Sequence, residues 1–391
     1  MHRATAKFGY VFVVCGAASH LDTLALSYNL LKKKTALPVY VVTDNTRNAY
    51  PLVYEHMVDV ATPEKFDHHQ ASIWLKTSLH RLLPKNRTYA YLDTDVLATG
   101  KNPDGIFGEF ISPVRFAPDH CLMPQFSSYA VNCGCLDTLS EARDKVKTLL
   151  VKADPYMASN DAGIQRARKE LSADVERGKK RLGLFFYLKY FLSWPSFKTP
   201  AGFRLDRRKK LWTDKNGQAV MNHVSMRSVA KQAGLRWKFI TNKLTLPDGR
   251  NIYRDQCGHL SSLIQKKFGV EITDGNWQHW NGGVFLFNEQ SQEFMDTWHA
   301  YTMEIFNDPE WKIRDQGTLI ATVWKLRLQD HPPLNVKWNL IADYYNSFLE
   351  MNDDGKITID EKIWHEAEFV HVYHHFGDTE WNFWNKTAAR L

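Results

Sequence analysis

The sequence predicts an α/β fold, a sheet of parallel or mixed strands flanked by helices and interrupted by one long basic insertion. Three observations predict it. Strand and helix patterns alternate through the first 100 residues, a second buried-strand pattern appears at 280–288, and positive charge is concentrated between them. Such alternation requires crossover connections, which build parallel sheets with helices on their faces. Ligands then bind beyond the carboxyl ends of the strands, so each loop that follows a strand is a candidate site.

The elements follow in order. Residues 10–15, β-branched and aromatic and ended by Gly16, read as a buried first strand. His2, Arg3 and Lys7 before an apolar stretch imitate a short signal peptide, but the composition favours the strand. A helix is expected at about 21–34, a strand at 38–43, a short strand near 57–61, a helix over 70–83 and a strand at 89–93. The 70–83 helix is amphipathic, with Leu75, Leu79, Leu82 and Leu83 at helical spacing and Pro84 as its stop. Lys76 and His80 share one side of it and are expected to be solvated. After the insertion, Asn281, Gly282 and Gly283 lead into the apolar run Val284-Phe285-Leu286-Phe287, followed by helices at about 291–306 and 315–327 and a strand-like segment at 368–372. One catalytic domain over 1–391, carrying a basic, aromatic subdomain at 141–275, accounts for this pattern. A chain of 391 residues, 44% hydrophobic and 24% charged, suffices for it.

The net charge of +7 is unevenly spread: residues 141–270 hold 28 Lys+Arg against 11 Asp+Glu, and the remainder holds 22 against 32. The densest cluster, Arg207-Arg208-Lys209-Lys210, is not accompanied by any nucleic-acid module, so nucleic acid is not an expected partner. Residues 182–197 contain one charge and are bracketed by Lys179, Lys180, Arg181 and Lys198. They fit either a buried helix or a segment lying in the headgroups of an anionic membrane. No apolar run reaches the ~20 residues that span a bilayer. The expected location is cytoplasmic, with possible peripheral attachment at the inner face of a membrane. Five cysteines at irregular spacing do not form a disulfide framework. Cys133 and Cys135, one residue apart and without a second cysteine pair, read as small core residues rather than metal ligands. Residues 350–361 partly fit a calcium loop, but a turn at Asp353-Asp354-Gly355 feeding a short strand explains them more simply.

The chemistry concentrates at Tyr91-Leu92-Asp93-Thr94-Asp95-Val96. Residues two apart in a strand share a face, so Asp93 and Asp95 at a buried strand's end can converge on one divalent cation. Alone, an acidic pair at this spacing more often marks a turn. This segment, with the helix before it, resembles the metal-binding segment of the GT-A glycosyltransferases, and in particular glycosyltransferase family 8, a retaining group. Three later segments match in order. These are Asn281-Gly282-Gly283-Val284-Phe285-Leu286-Phe287-Asn288, Arg314-Asp315-Gln316-Gly317, and Leu334-Asn335-Val336-Lys337-Trp338-Asn339. The resemblance covers roughly 8–135 and 276–385.

The resemblance implies a Rossmann-like GT-A sheet and transfer of a sugar from a nucleotide-diphosphate donor, a UDP-sugar, to a glycan or lipid-linked acceptor with retention. The departing diphosphate carries about two negative charges, which is why such chemistry uses a cation. Mn²⁺ (or Mg²⁺) is implied on Asp93, Asp95 and His371, or His374 if the final loop is aligned on Gly377. Cys15, Gly16, Lys76, Asp93, Asn281, Gly282 and Gly283 are implied as donor contacts, with Asp315 and Gln316 at the reacting centre. Two positions depart from the family. Glu380 stands where its phosphate-binding lysine belongs, and Cys15-Gly16-Ala17-Ala18-Ser19 lacks the acidic and aromatic residues that read uracil. Two alternatives stay open: an inverting transferase with Asp315 as general base, and a catalytically silent sugar-binding protein of the same fold.

Overall fold

The computed structural model describes residues 7–239, 241–342, 349–352, 354–358 and 363–389. The chain divides into two compact units, one of residues 1–133 and 257–391, the other of residues 134–256.

The first unit is built on a six-stranded mixed sheet. Its strands are β1 (Phe8–Val14), β2 (Val39–Thr43), β3 (His56–Asp59), β4 (Thr88–Leu92), β6 (Val114–Pro118) and β7 (Trp280–Phe287), in the order β3-β2-β1-β4-β7-β6. A three-stranded sheet takes β5 (Val96–Ala98) on one edge of β9 (Phe369–His371) and β8 (Leu340–Ile341) on the other. β1 pairs in parallel with β2 and β4, whereas β7 runs antiparallel to both β4 and β6. The α/β class is therefore as expected, with β3, β2, β1 and β4 parallel and the antiparallel pairings made by β7, from beyond residue 279.

The two-residue period of a strand sorts its side chains between two cores. Val11, Val13, Tyr91, Phe285 and Phe287 enter one, while Tyr10, Phe12, Leu92, Val284 and Leu286 enter the other. Each such side chain, fully buried, contributes about 1.5–3 kcal/mol. Strands covered on both faces read as continuous apolar runs, which is why they were visible in the sequence. The first core is closed by α2 (His68–Thr77), α3 (Gln292–Ile305) and α4 (Arg314–Lys325), which send Leu75, Trp298 and Leu319 into it.

The helix expected over 70–83 is two helices, α2 and the single turn Leu79–Leu82, broken at Ser78. α2 starts where Asp67 accepts from Gln70 N at 2.7 Å and Gln70 Oε1 accepts from Asp67 N at 3.1 Å, a reciprocal capping box. Lys76 and His80 are not solvated: they are only 7% and 8% exposed. The helix side they share faces partners from distant sequence, Asp93 and Asp315 for Lys76 and Asp296 for His80. A local pattern carries no sign of such partners.

The second unit contains helices Cys135–Ala153, Ala162–Leu182 and Leu184–Leu192, a four-stranded antiparallel meander from Ser196 to Asn222, and the helix Met226–Ala233. Its helix Leu184–Leu192 buries Phe186 but leaves Leu184 74%, Phe185 74% and Leu192 80% exposed, so it is not the fully buried helix that was one of the two expectations. A cavity of about 700 Å³ in this unit has Phe186, Tyr190, Phe191, Trp212, Trp237 and Phe239 on its walls. Arg207 lies over the Tyr190 ring at 4.4 Å and donates to Ser193 O at 3.0 Å. Among the described residues no helix is long and apolar enough to cross a membrane. In the calcium-loop candidate, Asp353, Ile359, Asp360 and Glu361 lie outside the described residues; Gly355 takes φ 84° ahead of the short strand Ile357–Thr358.

Candidate active site

A cleft of about 460 Å³ opens at the carboxyl ends of β1 and β4, lined among others by Cys15, Lys76, Asp93, Asp95 and Asp315. Its geometry is set by the backbone. Asp93 and Asp95 lie not in a strand but in the turn between β4 and β5, closed by Val96 N donating to Asp93 O at 3.0 Å. Asp93 N donates to Gly283 O at 2.8 Å, and Val372 N donates to Asp95 O at 3.0 Å. The turn is thus held by β7 on one side and by the residue that follows β9 on the other. The two carboxylates converge because the chain reverses there, and not by strand alternation.

Among the described residues, Asp93, Asp95 and His371 bring one ligand atom each within 4.8 Å of one another. His371 Nε2 is 3.2 Å from Asp95 Oδ1, an oxygen that is buried and makes no hydrogen bond. An orphaned buried carboxylate oxygen facing an imidazole nitrogen suits a shared cation, because a lone buried acceptor otherwise costs its full desolvation. Burial alone would lower the His371 pKa, but the Asp95 carboxylate outweighs it and raises it. Burial likewise pushes Asp95 up, and His371 more than reverses that. His371 Nδ1 donates to Asn339 Oδ1 at 3.2 Å, which fixes the ring. His374 is exposed, packs against Tyr373, and does not belong to this group.

Lys76 Nζ bridges the site, 3.2 Å from Asp93 Oδ1 and 3.2 Å from Asp315 Oδ2. Burial works against its charge, yet the attraction of Asp93 and then Asp315 is greater and its pKa is raised. Tyr91 also donates its hydroxyl to Asp93. Cys15, just past β1, is a buried thiol, pushed by burial up to about 11, and Gly16 N donates to Asn48 Oδ1 at 3.0 Å.

Asn281, Gly282, Gly283 and Gln316 stand behind this wall. Gln316 accepts from Gly282 N at 2.9 Å and donates to Trp280 O, so its amide is anchored on β7. Glycine is required at 283 by close approach. A Cβ at 282 would stand 3.0 Å from Gln316 Oε1, and one at 283 would collide with the His371 ring. The atoms that crowd both glycines are thus the protein's own. Asn281 Oδ1 accepts from Gly283 N and from Asn339 Nδ2, each at 2.9 Å.

Two residues that the sequence did not single out join this network. Asp119, just past β6, accepts from Asn281 Nδ2 at 2.9 Å, and His279 Nδ1 lies 3.3 Å from Gln316 Nε2. Burial raises the Asp119 carboxyl, but hydrogen bonding to His120 and the nearby His279 hold it well below the usual carboxylate range. A hydrogen-bonded chain therefore runs from Asp119 through Asn281 and Asn339 to His371. His20, His68 and His69 at the cleft wall were also unmarked in the sequence.

No family model and no curated protein matches this chain. Among solved structures it is similar to the galactosyltransferase LgtC in complex with donor and acceptor sugar analogues, with TM-score 0.43 and 9% identity over 98% of this chain and 94% of that one. It is similar also to mouse xyloside xylosyltransferase 1, with TM-score 0.36 and 8% identity over 95% of this chain and 98% of that one. The bifunctional glycosyltransferase WbbM follows at TM-score 0.36 and 10% identity, over 87% of this chain and 40% of that one. Likenesses of this degree carry no functional argument, and the reading of the site rests on its own geometry.

Proposed function

We propose that the protein is a metal-dependent GT-A glycosyltransferase that moves a sugar from a nucleotide-diphosphate donor, a UDP-sugar, to a glycan or lipid-linked acceptor with retention. The observation that carries this reading is the convergence of Asp93, Asp95 and His371 around an unbonded carboxylate oxygen, with the Lys76 ammonium beside them. Those three side chains would hold Mn²⁺ (or Mg²⁺), a mixed carboxylate and imidazole set that suits manganese. When bound, the cation offsets the negative charge that develops on the departing diphosphate.

The remaining work falls to the chain's own groups. Lys76, buried and kept charged by two carboxylates, supplies a fixed positive charge at the cleft wall. It thus takes the part that Glu380 cannot play in place of the family's lysine. Asp93 presents a carboxylate already oriented by Lys76 and Tyr91, so little reorganisation is needed as charge develops. Gln316 and Asp315, neighbours at the start of α4, place an amide on β7 and a carboxylate at the cleft; we assign them to the reacting sugar. Asp315 is ion-paired to Lys76, which favours a positioning carboxylate over the free general base that an inverting reaction needs.

The acceptor is assigned to the 134–256 unit. Its exposed Leu184, Phe185 and Leu192, flanked by Lys179, Lys180, Arg181 and Lys198, suit peripheral attachment to an anionic membrane surface. Its aromatic cavity suits the hydrocarbon of a lipid-linked acceptor.

Hydrolysis of UDP-sugars with and without Mn²⁺ tests the reading. Asp95→Asn is expected to lower the metal-dependent rate on the order of 10²–10³-fold. Equal rates in the two proteins would remove the metal assignment, and the anomeric configuration of the product, read by proton NMR, decides retention.

A further inference from the structure

A second set of metal-type donors stands apart from the carboxylate cleft. The sequence contains Cys133-Gly134-Cys135 and, far downstream, Cys257-Gly258-His259, two pairs of soft donors each separated by a single glycine. Each pair alone offers half a coordination shell and reads as core. Folding unites them. Cys133, Cys257 and His259, all of the first unit, bring two Sγ atoms and an imidazole nitrogen within 4.8 Å of one another.

The sulfurs of Cys133 and Cys257 are 3.8 Å apart. That is nearly twice the S–S bond of about 2.05 Å, and none of the five cysteines forms a disulfide. It matches two thiolates on one tetrahedral zinc: with Zn–S of about 2.3 Å, tetrahedral ligands stand about 3.8 Å apart. We propose that Cys133, Cys257 and His259 hold a zinc ion.

The surroundings fit this use. Gly134 takes φ 64°, a conformation that lets the chain turn sharply between two thiols without Cβ strain. Ser127 Oγ lies 3.2 Å from Cys257 Sγ and accepts from Leu260 N at 3.0 Å, a partner of the kind that orients a thiolate. Two thiolates and an imidazole select zinc over Mg²⁺ or Mn²⁺. Binding displaces the thiol protons to solvent, so occupancy falls in acid.

The test is metal analysis of the full chain, purified under reducing conditions without chelator. One zinc per chain is expected, retained in Asp95→Asn and lost in Cys133→Ser and Cys257→Ser. Replacement by Co²⁺ is expected to give the charge-transfer and intense ligand-field absorption of tetrahedral thiolate-bound cobalt. Absence of stoichiometric zinc together with absence of these bands overturns the proposal. So does full zinc content in Cys257→Ser, or a Cys133–Cys257 disulfide found by mass spectrometry in the fresh protein. Should the serine variants fail to fold, stripping the natural protein with a chelator is expected to expose two more thiols to a thiol reagent and lower the melting temperature. Zinc alone must then restore both; unchanged thiol reactivity on stripping overturns the assignment.

Discussion

The two units handle charge in opposite ways. In the first, ionic groups are drawn inside and neutralised against each other: Lys76 sits between Asp93 and Asp315, and His371 faces Asp95. In the second, residues 134–256 carry 26 Lys+Arg against 12 Asp+Glu, mostly outward, while apolar Leu184, Phe185 and Leu192 are left in solvent. Burying charge costs several kcal/mol per ion and is repaid only by tight geometry, so the first arrangement suits fixed chemistry. Leaving charge and hydrocarbon exposed together costs solubility and suits adhesion to a surface.

The contrast breaks most sharply at Lys76. Lys76→Met should leave two half-buried carboxylates without their cation and lower stability by about 1–3 kcal/mol, read from urea unfolding; a loss below 1 kcal/mol would mean that the pair is solvated in solution. Gly283→Ala comes next. The added methyl displaces the His371 ring, and manganese affinity measured by calorimetry should fall roughly 10–100-fold with little change in helix content.

On the other side of the comparison, Phe185→Glu should weaken binding to phosphatidylglycerol vesicles by about tenfold, roughly the worth of one buried aromatic side chain. Mn²⁺-dependent hydrolysis should not change. Vesicle binding that resists both this change and high salt would make the exposed helix irrelevant to membranes.

The smallest effect is a pH slope from His299, buried against Thr77 with Nδ1 2.8 Å from Thr77 Oγ1. Burial, then Arg81 and His80, push its pKa down to about 4. As pH falls below the unfolded value near 6.5, the unfolded chain takes up the proton first. Stability is therefore complete above 6.5 and declines towards pH 4, by about 1.4 kcal/mol for each pH unit. Thermal unfolding of His299→Asn should lose that part of the slope; an identical slope would exclude His299 as its source.

How much of this was legible in the sequence differs between the same two regions. The strands of the first unit were readable because both faces are covered, so Val11-Phe12-Val13-Val14 and Val284-Phe285-Leu286-Phe287 are continuous apolar runs. β6 was missed: Val-Arg-Phe-Ala-Pro contains a charge and a proline, and with it Asp119 escaped notice. Asp93 and Asp95 stood out as a motif, although a turn and not a strand brings them together. The three- and four-residue strands of the second unit are too short for any period to show. Cys257 and His259 were invisible as partners of Cys133, because nothing local links them; the repeated Cys-Gly-Cys and Cys-Gly-His spacing was the available signal.

The turn carrying the acidic pair is fastened through main-chain atoms, Asp93 N to Gly283 O and Val372 N to Asp95 O. Side chains at 93, 95 and 371 can therefore be exchanged without loosening the frame that presents them. On the proposed metal reading, the site is a socket whose cation preference is open to engineering by swapping ligands alone.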